Sequence, residues 1–128
     1  MGDGERFQIL RPLGDDGTTH AARDTASAGG PRIVVLERVV QGSQKPDERA
    51  AAVRRVRALI PLANPRIVRV REVIERDAEV LAVSEFVDGE WLAALTAFEP
   101  RPPLDITLRL ILDLLDGLAA LHDLRDER

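Results

Sequence analysis

Cysteine is absent from this sequence of 128 residues. That excludes disulfides, thiolate nucleophiles and Cys-based zinc sites. Lysine is nearly absent as well: of 18 basic residues only Lys45 is a lysine, so chemistry that needs a lysine amine has a single candidate. No apolar run approaches the length of a membrane span, and no charged-then-apolar leader opens the chain. A basic surplus is missing too. The net charge of −4 argues against nucleic-acid binding, and a cytoplasmic protein is expected. The two histidines, His20 and His122, are too few and too far apart to suggest a metal site. No Gly-x-x-x-x-Gly-Lys-Ser/Thr loop is present, and no Ser–His–Asp set stands at a readable spacing.

What is present is ordinary for a globular protein: 45% hydrophobic and 31% charged residues. The length fits one domain or one lobe of something larger, able to bury roughly two-thirds of its unfolded surface. The weight of arginine and alanine suggests a GC-rich bacterial genome. Phe7 to Leu13 alternates in strand fashion, with Pro12 marking an edge or an end. A Gly/Asp/Thr turn covers 14–19, and a short segment near His20 to Arg23 leads to a loop over 24–32. Ile33 to Leu36 with Val39 and Val40 is the clearest strand. Pro46, Asp47 and Glu48 suit a helix start. Val53, Val56, Leu59 and Ile60 then predict an amphipathic helix over about 47–60, ended by Pro61 and Pro65. Strands follow over 67–76 and 80–87, then a short helix around Trp91 to Ala97 and a stiff linker. Asp105 is expected to cap a final helix reaching about His122. The order β-β-β-α-β-β-α-α predicts an α+β fold. Its expected divisions are a tail (1–5), a main domain (6–98), a linker (99–104), a C-terminal helix (105–122) and a charged tail (123–128).

In order and spacing, five segments resemble the N-terminal lobe of bacterial serine/threonine protein kinases of the eukaryotic-like family. Residues 84–90, Ser-Glu-Phe-Val-Asp-Gly-Glu, resemble the gatekeeper and hinge, with Ser84 as gatekeeper, and 91–95 the helix after it. Asn64, Pro65 and Ile67-Val68 match a His-Pro-Asn-Ile-Val signature. Phe7 to Gly14 matches the first strand and the opening of the glycine-rich loop. Gly117 to His122 matches the end of the helix before a catalytic loop. The resemblance spans about residues 6–122 and implies a five-stranded antiparallel sheet with one regulatory-type helix.

It also shows which parts of phosphoryl-transfer machinery are altered. Gly14 and Gly17 remain of the glycine-rich loop, but Asp16 stands at its second glycine and no third has a clear counterpart. Asp15 and Asp16 would repel a polyphosphate; the segment also reads simply as an acidic, solvated turn. Glu37 occupies the position of the phosphate-binding lysine, and Arg55 that of its helix glutamate. Lys45 lies several residues past the strand, and Arg38 points to the opposite face. An exchanged Glu37–Arg55 salt bridge is one expectation, and two unrelated surface charges the other. Leu124, Arg125 and Asp126 are similar to a His-Arg-Asp only faintly, and no magnesium-binding Asp-Phe-Gly follows. Catalysis by the chain alone is therefore not expected, and no cofactor is expected. Arg66, Arg69 and Arg71 form a small basic strip, read as solvated or as meeting an acidic partner.

The last helix carries more apolar residues than one stripe, so it expects to be surrounded. Either it folds back over the sheet or another chain covers it. At roughly 25 cal/mol per Å², hiding a few hundred Å² is worth several kcal/mol gross. The expected binding residues are Leu108, Ile111, Leu112, Leu115 and Leu118, with Trp91 as an anchor. The leading expectation is a non-catalytic kinase-like module that binds protein or itself as a regulatory or scaffold subunit. One alternative is a non-hydrolysing nucleotide or small-ligand sensor near Glu37, Ser84 and Phe86. The other is a fragment of a larger pseudokinase.

Overall fold

A computed structural model of the chain describes residues 6–41, 45–97 and 101–126. The expected tail over 1–5, linker positions 99 and 100, and the last two residues lie outside the described residues. The elements are β1 (Phe7–Pro12), β2 (Thr19–Asp24), β3 (Arg32–Gln41), α1 (Pro46–Arg57), β4 (Val70–Glu75), β5 (Glu79–Glu85), α2 (Leu92–Thr96) and α3 (Leu104–Asp126). The five strands form one antiparallel sheet in the order β1-β2-β3-β5-β4, so the fold is α+β as expected. The chain divides into two compact units, 1–62 with 69–86, and 63–68 with 87–128.

In the first unit the centre is β3, whose β-branched residues are buried on both faces of the sheet. Val34 and Leu36 pack with Phe7, Ala22 and Val83, and Ile74 closes that cluster. Strict alternation would put Val40 on the same face. It does not lie there. A bulge between Arg38 and Val40 shifts the register against β5, so that Val40 sits opposite Val80. Val40, Val80 and Val53 of α1 then form a second buried cluster with Val39, Ala52 and Val73. One strand thereby serves two cores.

The helix α1 docks through one stripe. Val53 is its buried residue, and Arg49 and Arg57 stand one turn to either side of it. Arg57 holds Glu75 at 2.8 Å, while Arg49 donates to the carbonyl oxygens of Arg76 and Asp77. Both arginines thus pin α1 to the far end of β4. The helix ends at Arg57, short of the expected 60, because Leu59 and Ile60 continue in tighter turns that bond to Val56 and Arg57.

Across the first cluster an ionic clamp joins two strands that are not neighbours in the sheet. The Arg6 guanidinium binds both oxygens of Asp24 on β2, at 3.1 and 3.0 Å, and both oxygens of Glu72 on β4, at 3.1 and 2.9 Å. Register places Asp24 on the face of Ala22, and Glu72 opposite Val83. The sheet therefore curls over its Phe7 cluster, and Arg6 ties the rim, with its guanidinium 4.7 Å from the Phe7 ring centre.

Four further boundaries differ from expectation. The strand β4 begins at Val70 rather than 67, since Asn64 accepts from the Arg66 backbone and holds 64–67 in a turn. The strand β5 ends at Glu85 rather than 87. Asp105 is not a cap: α3 starts at Leu104, and Asp105 lies in its first turn, where its charge suits the helix dipole. The same helix runs four residues beyond His122, continuing the half-buried spacing of Leu121 and Leu124.

The clamp generates a prediction. Asp24 is 4% exposed, and the Arg6 guanidinium holds its carboxyl below the usual carboxylate range, helped by the Ala26 N–H. A depressed folded value means the carboxylate stabilises the fold above the unfolded pKa of about 4, and that this contribution disappears as pH falls through the folded value. Arg6→Ala should cost about 1–3 kcal/mol in urea unfolding at pH 7. Asp24→Asn should flatten the loss of stability below about pH 4; an unchanged acid limb would rule the clamp out as its source.

Candidate functional site

Pairing across the sheet sorts the resemblance-derived residues by face. Glu37 stands opposite Thr19 of β2 and Ala82 of β5, and Val35 stands opposite Ser84. Directly opposed residues share a face. Glu37, Val35, Ala82 and Ser84 thus lie together on the α1 face, the one that also carries Val40 and Val80. Arg38 is opposite Leu81 on the other face, and ion-pairs with Glu79 at 2.6 Å. Glu37 is exposed, while Ser84 and Phe86 are half-buried. Lys45 immediately precedes α1 and is exposed.

The expected Glu37–Arg55 salt bridge is not formed. Among the described residues neither side chain makes an ion pair, and Arg55 is exposed. The reason is helical geometry. Two residues beyond the buried Val53, Arg55 is turned by about 200° from the sheet-facing stripe. It lines an open groove of about 620 Å³ with Val39, Asp47, Glu48 and Ala52. Arg49 and Arg57, whose roles the sequence did not disclose, make the attachments that the exchanged pair was expected to make.

The loop between β1 and β2 is held by its own acid. Gly14 and Gly17 adopt φ of +92° and +73°, which a side chain resists. The carboxylate of Asp16 accepts from the Thr18 N–H at 3.0 Å and from its hydroxyl at 2.8 Å. The backbone N–H is the main cause holding that carboxyl below its usual range. Asp16 therefore stays anionic while it closes the turn.

In the second unit, α3 has two distinct sides. Gly117 is buried, and a Cβ there would meet Ile67 at 3.3 Å and Arg66 at 3.4 Å. Asp113, Ala120, Leu121 and Leu124 on this side are half-buried. Arg66 reaches α3 through Asp113 at 3.3 Å and Asp116 at 3.8 Å, and Arg109 shares Asp113. The basic strip expected over Arg66, Arg69 and Arg71 is thus divided. Arg66 serves α3, Arg69 pairs with Glu85 through its backbone, and Arg71 lies by the Arg6 clamp.

On the opposite side lie Leu108, Ile111, Leu112, Leu115 and Leu118, between 46% and 60% exposed. A surrounded helix was expected; the structure covers α3 only around Gly117 in its C-terminal half, and Ile106, Leu110 and Leu114 are exposed along with these five residues. Trp91 begins α2 at 66% exposed, as a flanking residue rather than inside the helix. Among the described residues no three metal-ligating side chains gather, and no helix is long and apolar enough to cross a membrane.

No protein-family model matches the chain. Over 120 residues it is 32% identical to the serine/threonine-protein kinase pkn2 of Myxococcus xanthus, which covers 92% of this chain. The chain is thus related in sequence to a serine/threonine protein kinase, and it spans 14% of that protein's length.

The separation of Glu37 from Arg55 makes a double-mutant cycle decisive. Glu37→Ala and Arg55→Ala should be additive to within about 0.5 kcal/mol in chemical denaturation. A coupling above about 1 kcal/mol would restore the pair.

Proposed function

We propose that this kinase-related chain is a non-catalytic kinase-like module that acts by binding protein, as a regulatory or scaffold subunit. The observation that carries the reading is the open apolar side of α3. Ile111 and Leu115 are each about half exposed, whereas Gly117 on the opposite side of the same helix is buried. A contiguous apolar patch of this kind marks an interaction surface rather than a solvated one. Trp91 adds a large exposed aromatic in the same unit.

The non-catalytic half of the reading rests on charge. A nucleotide triphosphate needs cations and bare backbone around its phosphates. On the α1 face, the position that corresponds by resemblance to the lysine carries Glu37, and the turn preceding β2 carries Asp15 and Asp16. Three carboxylates there oppose nucleotide. No exchanged cation compensates, because Arg55 points elsewhere.

Two measurements test the halves separately. The melting temperature should not rise with millimolar ATP and magnesium; a rise of several degrees would instead favour a nucleotide sensor. Ile111→Asp with Leu115→Asp should leave the far-UV circular dichroism unchanged, since both side chains are about half exposed within the chain. The same change should abolish any complex the wild type forms. A complex that survived it would overturn the role given to α3.

A further inference from the structure

Resting on the reading of α3 as a binding surface, we infer that its occupant is a second copy of this chain, paired antiparallel along α3. Leu104, Leu108, Ile111, Leu115, Leu118 and His122 follow one another at alternating intervals of four and three residues. That is the a/d spacing by which one helix keeps a single seam against another. All six are exposed. The seam lies on the side of α3 opposite Gly117, which is already packed against Ile67 and Arg66.

Charge and size both favour a second copy. The positions flanking the seam include Thr107, Leu112, Leu114 and Ala119, so a copy meets no row of like charges. The ionic residues Arg109, Asp113 and Asp116 lie off the seam, where Arg66 engages the two aspartates. Asp105 flanks the seam at one end. A parallel pair would set two His122 side by side and align the helix dipoles. The antiparallel pair opposes the dipoles and places Asp105 near Ala119 of the second copy. With the dyad near Asp113, Leu108 faces Leu118, Ile111 faces Leu115, and Leu104 faces His122. The half-exposed side chains amount to roughly 500 Å² per chain, so pairing buries about 1,000 Å² in all, the lower bound for a specific interface. Ile106 and Leu110 stay outside the seam.

Solution mass as a function of concentration tests the pairing, and the cysteine-free sequence supplies a clean background for its geometry. Sedimentation or light scattering should give twice the chain mass, and Leu115→Asp should return it to the chain mass with the circular dichroism unchanged. Under mild oxidation, Leu108→Cys mixed with Leu118→Cys should form a disulfide-linked dimer. Neither variant alone should, because like positions then stand about 15 Å apart along the helix. Efficient cross-linking of Leu108→Cys by itself would show a parallel pair and overturn the proposed arrangement. A monomer at every concentration would overturn self-pairing altogether. The reading of α3 as a protein-binding surface would then stand or fall on its own test, the loss of a complex with a different protein on Ile111→Asp with Leu115→Asp.

Discussion

The bulge between Arg38 and Val40 is the constraint from which the arrangement of the first unit follows. Without it, β3 would bury Val34, Leu36 and Val40 on one face and take Val40 out of the cluster on which α1 docks. One extra residue turns Val40 onto the other face, where it meets Val53 and Val80. The strand can then place valines in two separate cores. Everything placed by β3 inherits this division, including Glu37 on the α1 face and Arg38 on the face beyond.

Each face is held by a different kind of contact. The α1 face combines valine packing with arginines at the edge, Arg57 on Glu75 and Arg49 on the carbonyls of the β4–β5 turn. The opposite face is a curled apolar pocket whose rim is tied by Arg6 between Asp24 and Glu72. Because Asp24 is almost fully buried, its charge is tolerable only with the bidentate guanidinium beside it. The chain as a whole is related in sequence to a serine/threonine protein kinase.

The second unit follows the opposite logic. Gly117 lets Ile67 and Arg66 approach the α3 backbone closely, and Asp113 gives Arg66 a partner. That contact uses one side of a helix whose other side is as apolar as a core. The apolar girth of α3 was legible from its leucines, since no solvated helix needs so many. Which side is packed was not legible, because a glycine at 117 reads equally as a weak point or as a contact.

The residues alone determined the element order, the edge character of the Pro12 strand, the helix opened by Pro46, and the five candidate positions on α3. Period and turn chemistry are local properties, and local properties survive without coordinates. Only the tertiary structure decided that Arg55 turns from Glu37, that Arg6 reaches across from β2 to β4, and that Val40 changes face. Each depends on a register shift, a rotation about a helix axis or an approach of distant strands. A linear string does not encode such relations until the chain has packed.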